Sequence, residues 1–249
     1  MLSTCVTDGA LKGALGVGLG FCVLVGGTRE NGGFSTTEYG SGKSSLERPW
    51  EECRGIGESF GYNRNENLEQ YVSSEKLVHM LIDIVSRGGN LLLNIGPAAD
   101  GTIPVIMQQR LIDIGDWLKI NGEAIYETEA YKEPYQWSRG IRRTKKDASY
   151  MAGYSISKMI EPAGDTANIE CFFTRKNKTL YCIIPSYRTS IVLKNISLPK
   201  GGLLHVLGSK ANIPWKQTGK DINIDLSALR PGDLAEKNVF VVKLENAFQ

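Results

Sequence analysis

The sequence predicts an α/β region followed by an all-β region, and three observations carry that expectation. Ser86–Pro104, S-R-G-G-N-L-L-L-N-I-G-P-A-A-D-G-T-I-P, packs a helix end, an apolar strand and a tight loop into under twenty residues. Helical periodicity flanks it on both sides. After about Tyr131 the texture changes to short strand-like runs separated by turn signals, the cadence of an antiparallel sandwich.

Residues 1–30 differ in character from the remainder of the chain. Gly13–Gly27 is an uncharged run rich in Gly, Val and Leu, too short for a comfortable membrane-spanning helix. It reads either as the apolar region of a signal peptide, against which Asp8 and the lack of a small-x-small site count, or as a glycine-rich buried strand and loop. Ser73–Val85 is helical: Ser73 is a good N-cap, Glu75 suits the positive helix end, and Leu77, Leu81, Ile84 and Val85 share a face. His79 within it reads as structural. Gly88 and Gly89 supply the left-handed conformation that closes the helix.

Leu91–Ile95 lacks alternation, as expected of a parallel strand covered on both faces. Gly96-Pro97 stops it, Asp100-Gly101 turns, and Pro104 suits the start of a second helix. That helix runs to about Asn121, with Met107, Leu111, Ile114 and Leu118 as its buried stripe and Gly122 at its end. Helix, strand and helix with short links are consecutive pieces of a parallel βα array. Gly140–Asn168 reads as a long loop or hairpin excursion. Strands are predicted at Ile169–Thr174, Thr179–Ile184, Ser190–Leu193, Leu203–Leu207, Ile222–Leu226 and Val239–Leu244.

Composition narrows the function classes. The 249 residues are 41% hydrophobic and 22% charged, ordinary for a globular protein with a core. A net charge of +2 makes no case for nucleic acid, and the basic cluster Arg139–Lys146 reads as a solvated loop. Five cysteines form no metal-ligand spacing, and with only two histidines, His79 and His205, a histidine-based zinc site has almost no material, so no metal is expected. Cys171 and Cys182 flank a predicted hairpin turn at Lys176-Asn177, open to a cross-strand disulfide or to two buried thiols. Asn177-Lys178-Thr179 and Asn195-Ile196-Ser197 are sequons that matter only on a eukaryotic secretory route.

Gly42-Lys43-Ser44 imitates the end of a phosphate-binding loop, but Thr37 occupies the place of its first glycine. Gly16, Gly18 and Gly20 miss the dinucleotide-binding spacing. Carboxylates remain: Glu38, Glu51, Glu52 and Glu58 lie among Phe34, Tyr39, Trp50, Phe60 and Tyr62. A carboxyl beside aromatic surface can hold its proton near neutral pH, and aromatic faces stack on sugars, so this stretch points toward carbohydrate chemistry.

Five motifs occur in order: Gly33-Phe34-Ser35-Thr36-Thr37-Glu38-Tyr39; Trp50-Glu51; Arg54-Gly55-Ile56-Gly57 with Ser59-Phe60-Gly61-Tyr62-Asn63-Arg64; Gly88–Pro104; and Trp117-Leu118-Lys119 with Asn121-Gly122-Glu123-Ala124-Ile125-Tyr126. On these the chain resembles the C-terminal part of α-L-fucosidases of glycoside hydrolase family 29, densely over about 32–130 and more loosely over the tail, where Leu207-Gly208 and Trp215 are familiar. The resemblance implies a partial (β/α)8-like (TIM) barrel over 31–130, an antiparallel β-sandwich over 131–249, and an unmatched segment 1–30. It implies retaining hydrolysis of terminal α-L-fucose from fucosylated glycans or glycoconjugates, with no cofactor. Secreted, periplasmic and lysosomal locations are all compatible with the family.

By resemblance Glu38 takes the acid/base position of one major subgroup, while other members place that group differently. Phe60 matches an aromatic against the apolar face of fucose, with a core phenylalanine of a barrel strand as the alternative. The family's nucleophilic aspartate and pocket histidines lie upstream of the matched region; Asp8 has no family-like context, and Arg29 is too close to Glu38 to be the family's arginine. The expectation is therefore a partial form without the nucleophile, with strand edges and helix faces of the parallel array uncovered. The rivals are a noncatalytic carbohydrate-binding or structural module and an inactive fragment.

Overall fold

The computed structural model describes residues 3–6, 27–31, 33–39, 49–142, 156–161, 166–230 and 239–248, with the backbone alone for the first two stretches. The phosphate-loop look-alike at Gly42-Lys43-Ser44, most of the Gly13–Gly27 run and the basic stretch beyond Arg142 lie outside them. The chain divides into two compact units, 1–114 with 144–156, and 115–143 with 157–249.

The first unit is built on a five-stranded sheet. Its strands are β1 (Ser3–Val6), β2 (Gly27–Asn31), β3 (Phe34–Glu38), β4 (Trp50–Gly55) and β5 (Gly89–Asn94), in the order β1-β5-β4-β3-β2. The three central strands are parallel, with Glu38 beside Cys53 and Gly55 beside Asn94. Both outer strands run antiparallel to their neighbours. The expected bare strand edges are thus corrected: the outer edge of β5 pairs with Ser3–Val6 and that of β3 with Gly27–Asn31. An open edge offers a row of N–H and C=O groups that any extended segment can satisfy, and the segment read as unmatched supplies such strands.

Helix α1 (Ser74–Ser86) links β4 to β5 and forms as predicted. The Ser73 hydroxyl accepts from Lys76 N at 3.3 Å, and Leu77, Leu81 and Ile84 are buried. Gly88 turns left-handed at φ 80°, but Gly89 does not share in the cap. It opens β5, and its bare Cα lies against the Trp50 indole: a Cβ there would sit 2.4 Å from Trp50 Cε2. Buried Asp83 pairs with Arg87 at 2.6 Å, and the Arg87 guanidinium lies 4.8 Å from the centre of the Trp50 ring, so the helix end, β4 and β5 interlock. Helix α2 (Val105–Asn121) buries Met107, Ile114, Trp117 and Leu118, while Val105, Ile112 and Ile120 remain exposed.

The second unit is a β-sandwich. Its larger sheet is formed by β6 (Glu129–Trp137), β7 (Ile169–Lys176), β8 (Thr179–Ile184), β10 (Leu203–Val206) and β13 (Phe240–Glu245), in the order β10-β13-β8-β7-β6. The smaller is formed by β9 (Ser190–Leu193), β11 (Trp215–Thr218) and β12 (Asp221–Asp225), in the order β11-β12-β9. All pairings are antiparallel. Phe173, Leu180, Ile184, Phe240 and Val242 meet Ile191, Leu193, Ile222 and Ile224 in one core. Gln136 in β6 ties the two sheets by copying a strand's hydrogen bonds: it donates to Val192 O at 2.7 Å and accepts from Lys194 N at 2.8 Å.

The hairpin turn falls at Asn177, in the left-handed region at φ 54°. Its register sets Cys182 opposite Phe173, so Cys171 and Cys182 are buried free thiols whose ionisation burial suppresses. In this unit two strands escaped the sequence reading, as β1 to β4 did in the first. β6 carries Pro134 and several charged or amide side chains, and its register shifts between Ala130 and Tyr135; β11 is polar and lies on an edge. The 140–168 stretch read as loop contains the short helix α3 (Ile156–Ile160).

Gly89→Ala is expected to destabilise the protein by about 1–3 kcal/mol, because the added methyl must displace a fully buried indole. Urea unfolding with and without the substitution measures it.

Candidate functional site

Three parallel strands in register bring three chain exits side by side. β3 ends at Glu38, β4 at Gly55 and β5 at Asn94, and the residues just beyond them form one face at the carboxyl ends. This is the end at which parallel α/β sheets carry their chemistry.

Glu38 is half-buried at the tip of β3, and burial raises its carboxyl above the ordinary glutamate range. Among the described residues burial is the cause of that shift. Tyr39 follows in the left-handed region at φ 47°, a conformation costly for an aromatic residue and held here by its contacts. Its phenol oxygen accepts from Gly55 N at 3.0 Å. A Cβ on Gly55 would fall 2.6 Å from that oxygen, so glycine is what lets the ring close over β4. Burial raises the Tyr39 phenol, against the opposing pull of the Gly55 N–H and Arg54.

Phe60 meets Tyr39 edge to face, with centroids 6.3 Å apart and planes at 68°. It is half-buried, and it lies on the segment after β4, which corrects the alternative of a core phenylalanine within a strand. Asn94 at the end of β5 donates from Nδ2 to the Phe60 carbonyl at 2.5 Å, fixing the segment on the sheet. The structure thus joins Glu38 and Phe60 through Tyr39.

Beneath them lies a buried polar cluster that the sequence reading did not single out. Arg54 donates from Nε to Glu52 at 2.7 Å, Thr37 donates its hydroxyl to the other Glu52 oxygen, and the Arg54 guanidinium lies 5.3 Å from the centre of the Tyr39 ring. Glu52 is fully buried, and desolvation raises its carboxyl despite Arg54, Thr37 and Arg87. A signal existed: Trp50, Glu52 and Arg54 alternate along one face of β4, and charges at inward strand positions need partners. Among the described residues no three His, Cys, Asp or Glu side chains are gathered as a metal site.

A sheet with parallel central strands that carries a carboxylate and aromatic surface at its carboxyl end, in a chain that also carries a β-sandwich, is the geometry on which the comparisons with known proteins bear. The sequence model of the family described as alpha-L-fucosidase matches residues 23–123. The plasma alpha-L-fucosidase of Homo sapiens is 47% identical over 106 residues, which are 41% of this chain and 22% of that protein. The tissue alpha-L-fucosidase of Rattus norvegicus is 27% identical over 220 residues, 86% of this chain and 41% of that protein. Among solved structures, Thermotoga maritima alpha-fucosidase in complex with a mechanism-based inhibitor aligns with a TM-score of 0.61 and 31% identity, covering 84% of this chain and 42% of that one. This chain belongs to the alpha-L-fucosidase family. It spans well under half the length of these relatives.

Arg54→Met is expected to cost about 3–5 kcal/mol, because it leaves the Glu52 carboxylate buried without its counter-charge. Denaturant unfolding reads the loss, and Arg54→Met combined with Glu52→Gln recovers part of it.

Proposed function

We propose that this chain contributes the acid/base side of a retaining α-L-fucosidase site acting on fucosylated glycans or glycoconjugates. Residues 31–130 are the closing part of a (β/α)8 barrel and residues 131–249 the sandwich, while residues 1–30 supply strands that pair with the edges of the first unit's sheet. The observation that carries this reading is the packing of Tyr39, the residue after Glu38, against Phe60 at the carboxyl ends of parallel strands. Unit β4-α1-β5, two parallel strands joined by a helix, supports the barrel assignment.

In the proposed reaction Glu38, whose carboxyl burial raises above the ordinary glutamate range, gives its proton to the departing glycosidic oxygen and then takes one from water. Phe60 offers its ring to the apolar face of fucose. A retaining site needs a second carboxyl roughly 5–5.5 Å from the first as nucleophile. None of the described residues is assigned that part.

An aryl α-L-fucoside assay on the purified chain tests this. Where turnover occurs, Glu38→Gln should lower it about 10²–10⁴-fold, with azide restoring release of an activated aryl group. The basic limb of the pH profile, set by loss of the Glu38 proton, should vanish with it. Turnover that Glu38→Gln leaves intact removes Glu38 from the role. Absence of turnover in a cooperatively folded sample shows that the chain alone lacks a complete site.

A second reading has one observation in its favour. On the smaller sheet a cleft of about 400 Å³ is lined by Trp215, Val192, Lys216 and Asn223, and Trp215 is 38% exposed. An exposed indole beside polar groups suits glycan binding without catalysis. Trp215→Ala should then abolish retention on immobilised fucosylated glycan while Glu38→Gln keeps it; retention unaffected by Trp215→Ala rejects this reading.

A further inference from the structure

We propose that a second cleft, on the same end of the first unit's sheet as Glu38, receives the sugar to which fucose is attached. The inference rests on the fucosidase reading and extends it to the leaving group. The cleft has a volume of about 360 Å³ and is walled by Tyr62, Arg64, Leu68 and Tyr71 on one side and by Pro104 and Ile106 on the other. Its size falls in the ordinary range of small-ligand sites. The first wall belongs to the segment that leaves the carboxyl end of β4, and the second to the segment that leaves the carboxyl end of β5.

The cleft continues the candidate site along the chain. Tyr39 touches Phe60, Asn94 holds the Phe60 carbonyl, and two residues later the Tyr62 backbone lies on Gly96. A Cβ on Gly96 would sit 2.3 Å from Tyr62 N, so glycine permits this approach. Phe60 and Tyr62 are thereby fixed to the end of β5 as successive aromatic residues of one segment.

The wall is built before any ligand arrives. Ser59 N donates to Glu66 Oε1 at 2.5 Å, Asn63 donates to Ser59 Oγ at 3.0 Å, and Gln70 donates to Glu58 at 2.9 Å. Asn67 and Gln70 close a capping box on the 3₁₀ turn Leu68–Gln70. A loop held this way loses little further freedom on binding.

Its chemistry fits a neutral pyranose. Tyr62 is 47% and Leu68 64% exposed, an apolar surface left open where a sugar ring's C–H face could lie. Arg64 is exposed and makes no ion pair among the described residues, so its N–H donors are available to ring hydroxyls or an acetamido oxygen. One apolar platform and one multiple donor are what a neutral pyranose ring offers contacts for.

Two measurements test this. The first compares kcat/KM for a fucosyl-galactose disaccharide with that for α-L-fucosyl fluoride, whose leaving group is a single atom. Tyr62→Ala and Arg64→Ala should each lower the disaccharide-to-fluoride ratio about tenfold, equivalent to about 1.4 kcal/mol. A ratio that stays constant overturns the subsite, whether or not both rates fall together. The second needs no turnover: N-acetyllactosamine is titrated into nitrogen-15-labelled protein. Amide shifts should cluster at 62–68 and 103–106 and disappear in Tyr62→Ala. Their absence overturns the subsite even in an active enzyme, whereas shifts in a protein without fucosyl fluoride turnover uphold the subsite and show that the chain alone lacks a complete catalytic site.

Discussion

The candidate site depends on one buried guanidinium. Arg54 neutralises Glu52, which is shut away from solvent, and the same group lies under the Tyr39 ring. An isolated carboxylate in such a place would be very costly, and the arginine together with the Thr37 hydroxyl makes its burial tolerable. Because Tyr39 immediately follows Glu38, the ring that Arg54 supports also fixes where the acid emerges from β3. The Gly55 N–H to the phenol and the Phe60 edge complete the clamp. The unusual left-handed backbone at Tyr39 persists because these contacts on three sides outweigh its cost.

Around that clamp the first unit is a study in satisfying strand edges. Parallel pairing of β3, β4 and β5 aligns their carboxyl ends and creates the site face. It also leaves two outer edges, and extended backbone from the N-terminal part of the chain pairs with both, in the antiparallel sense. Backbone hydrogen bonding is indifferent to which segment supplies the partner, which explains how strands of little sequence character can complete a sheet. The helix positions Val105, Ile112 and Ile120 have no such remedy among the described residues and stay exposed. The sandwich follows a different logic: its two sheets bury alternate apolar side chains against one another, and the Gln136 amide bonds to β9 as another strand would.

Much of this was legible in the residues. The Ser73 cap, the left-handed Gly88, the apolar run 91–95 and the helix over 105–121 each rest on local chemistry, and each forms where that chemistry places it. Strands β7, β8, β9, β12 and β13 announced themselves by short apolar runs between turns. β6 did not, because Pro134 and its charges mask the alternation and its register shifts along β7; nor did β11, a polar edge strand supported by one neighbour. Of the site, Glu38 and Phe60 were readable through motif resemblance. Tyr39 and Arg54 were not, since their roles arise from contacts across strands rather than from neighbours in sequence.

By itself the sequence determined the order of elements, the change from α/β to all-β texture and the family, because caps, turns and apolar periods are local and motifs keep their spacing. Only the tertiary structure decided what pairs with the outer edges of the parallel strands, that the Cys171 and Cys182 thiols are unbonded, and that Tyr39 packs against Phe60. Those outcomes depend on strand register and on a Cβ missing from Gly55, Gly89 and Gly96, where the packing leaves no room for one. Such constraints exist only when distant segments meet, so no run of neighbouring residues could have displayed them.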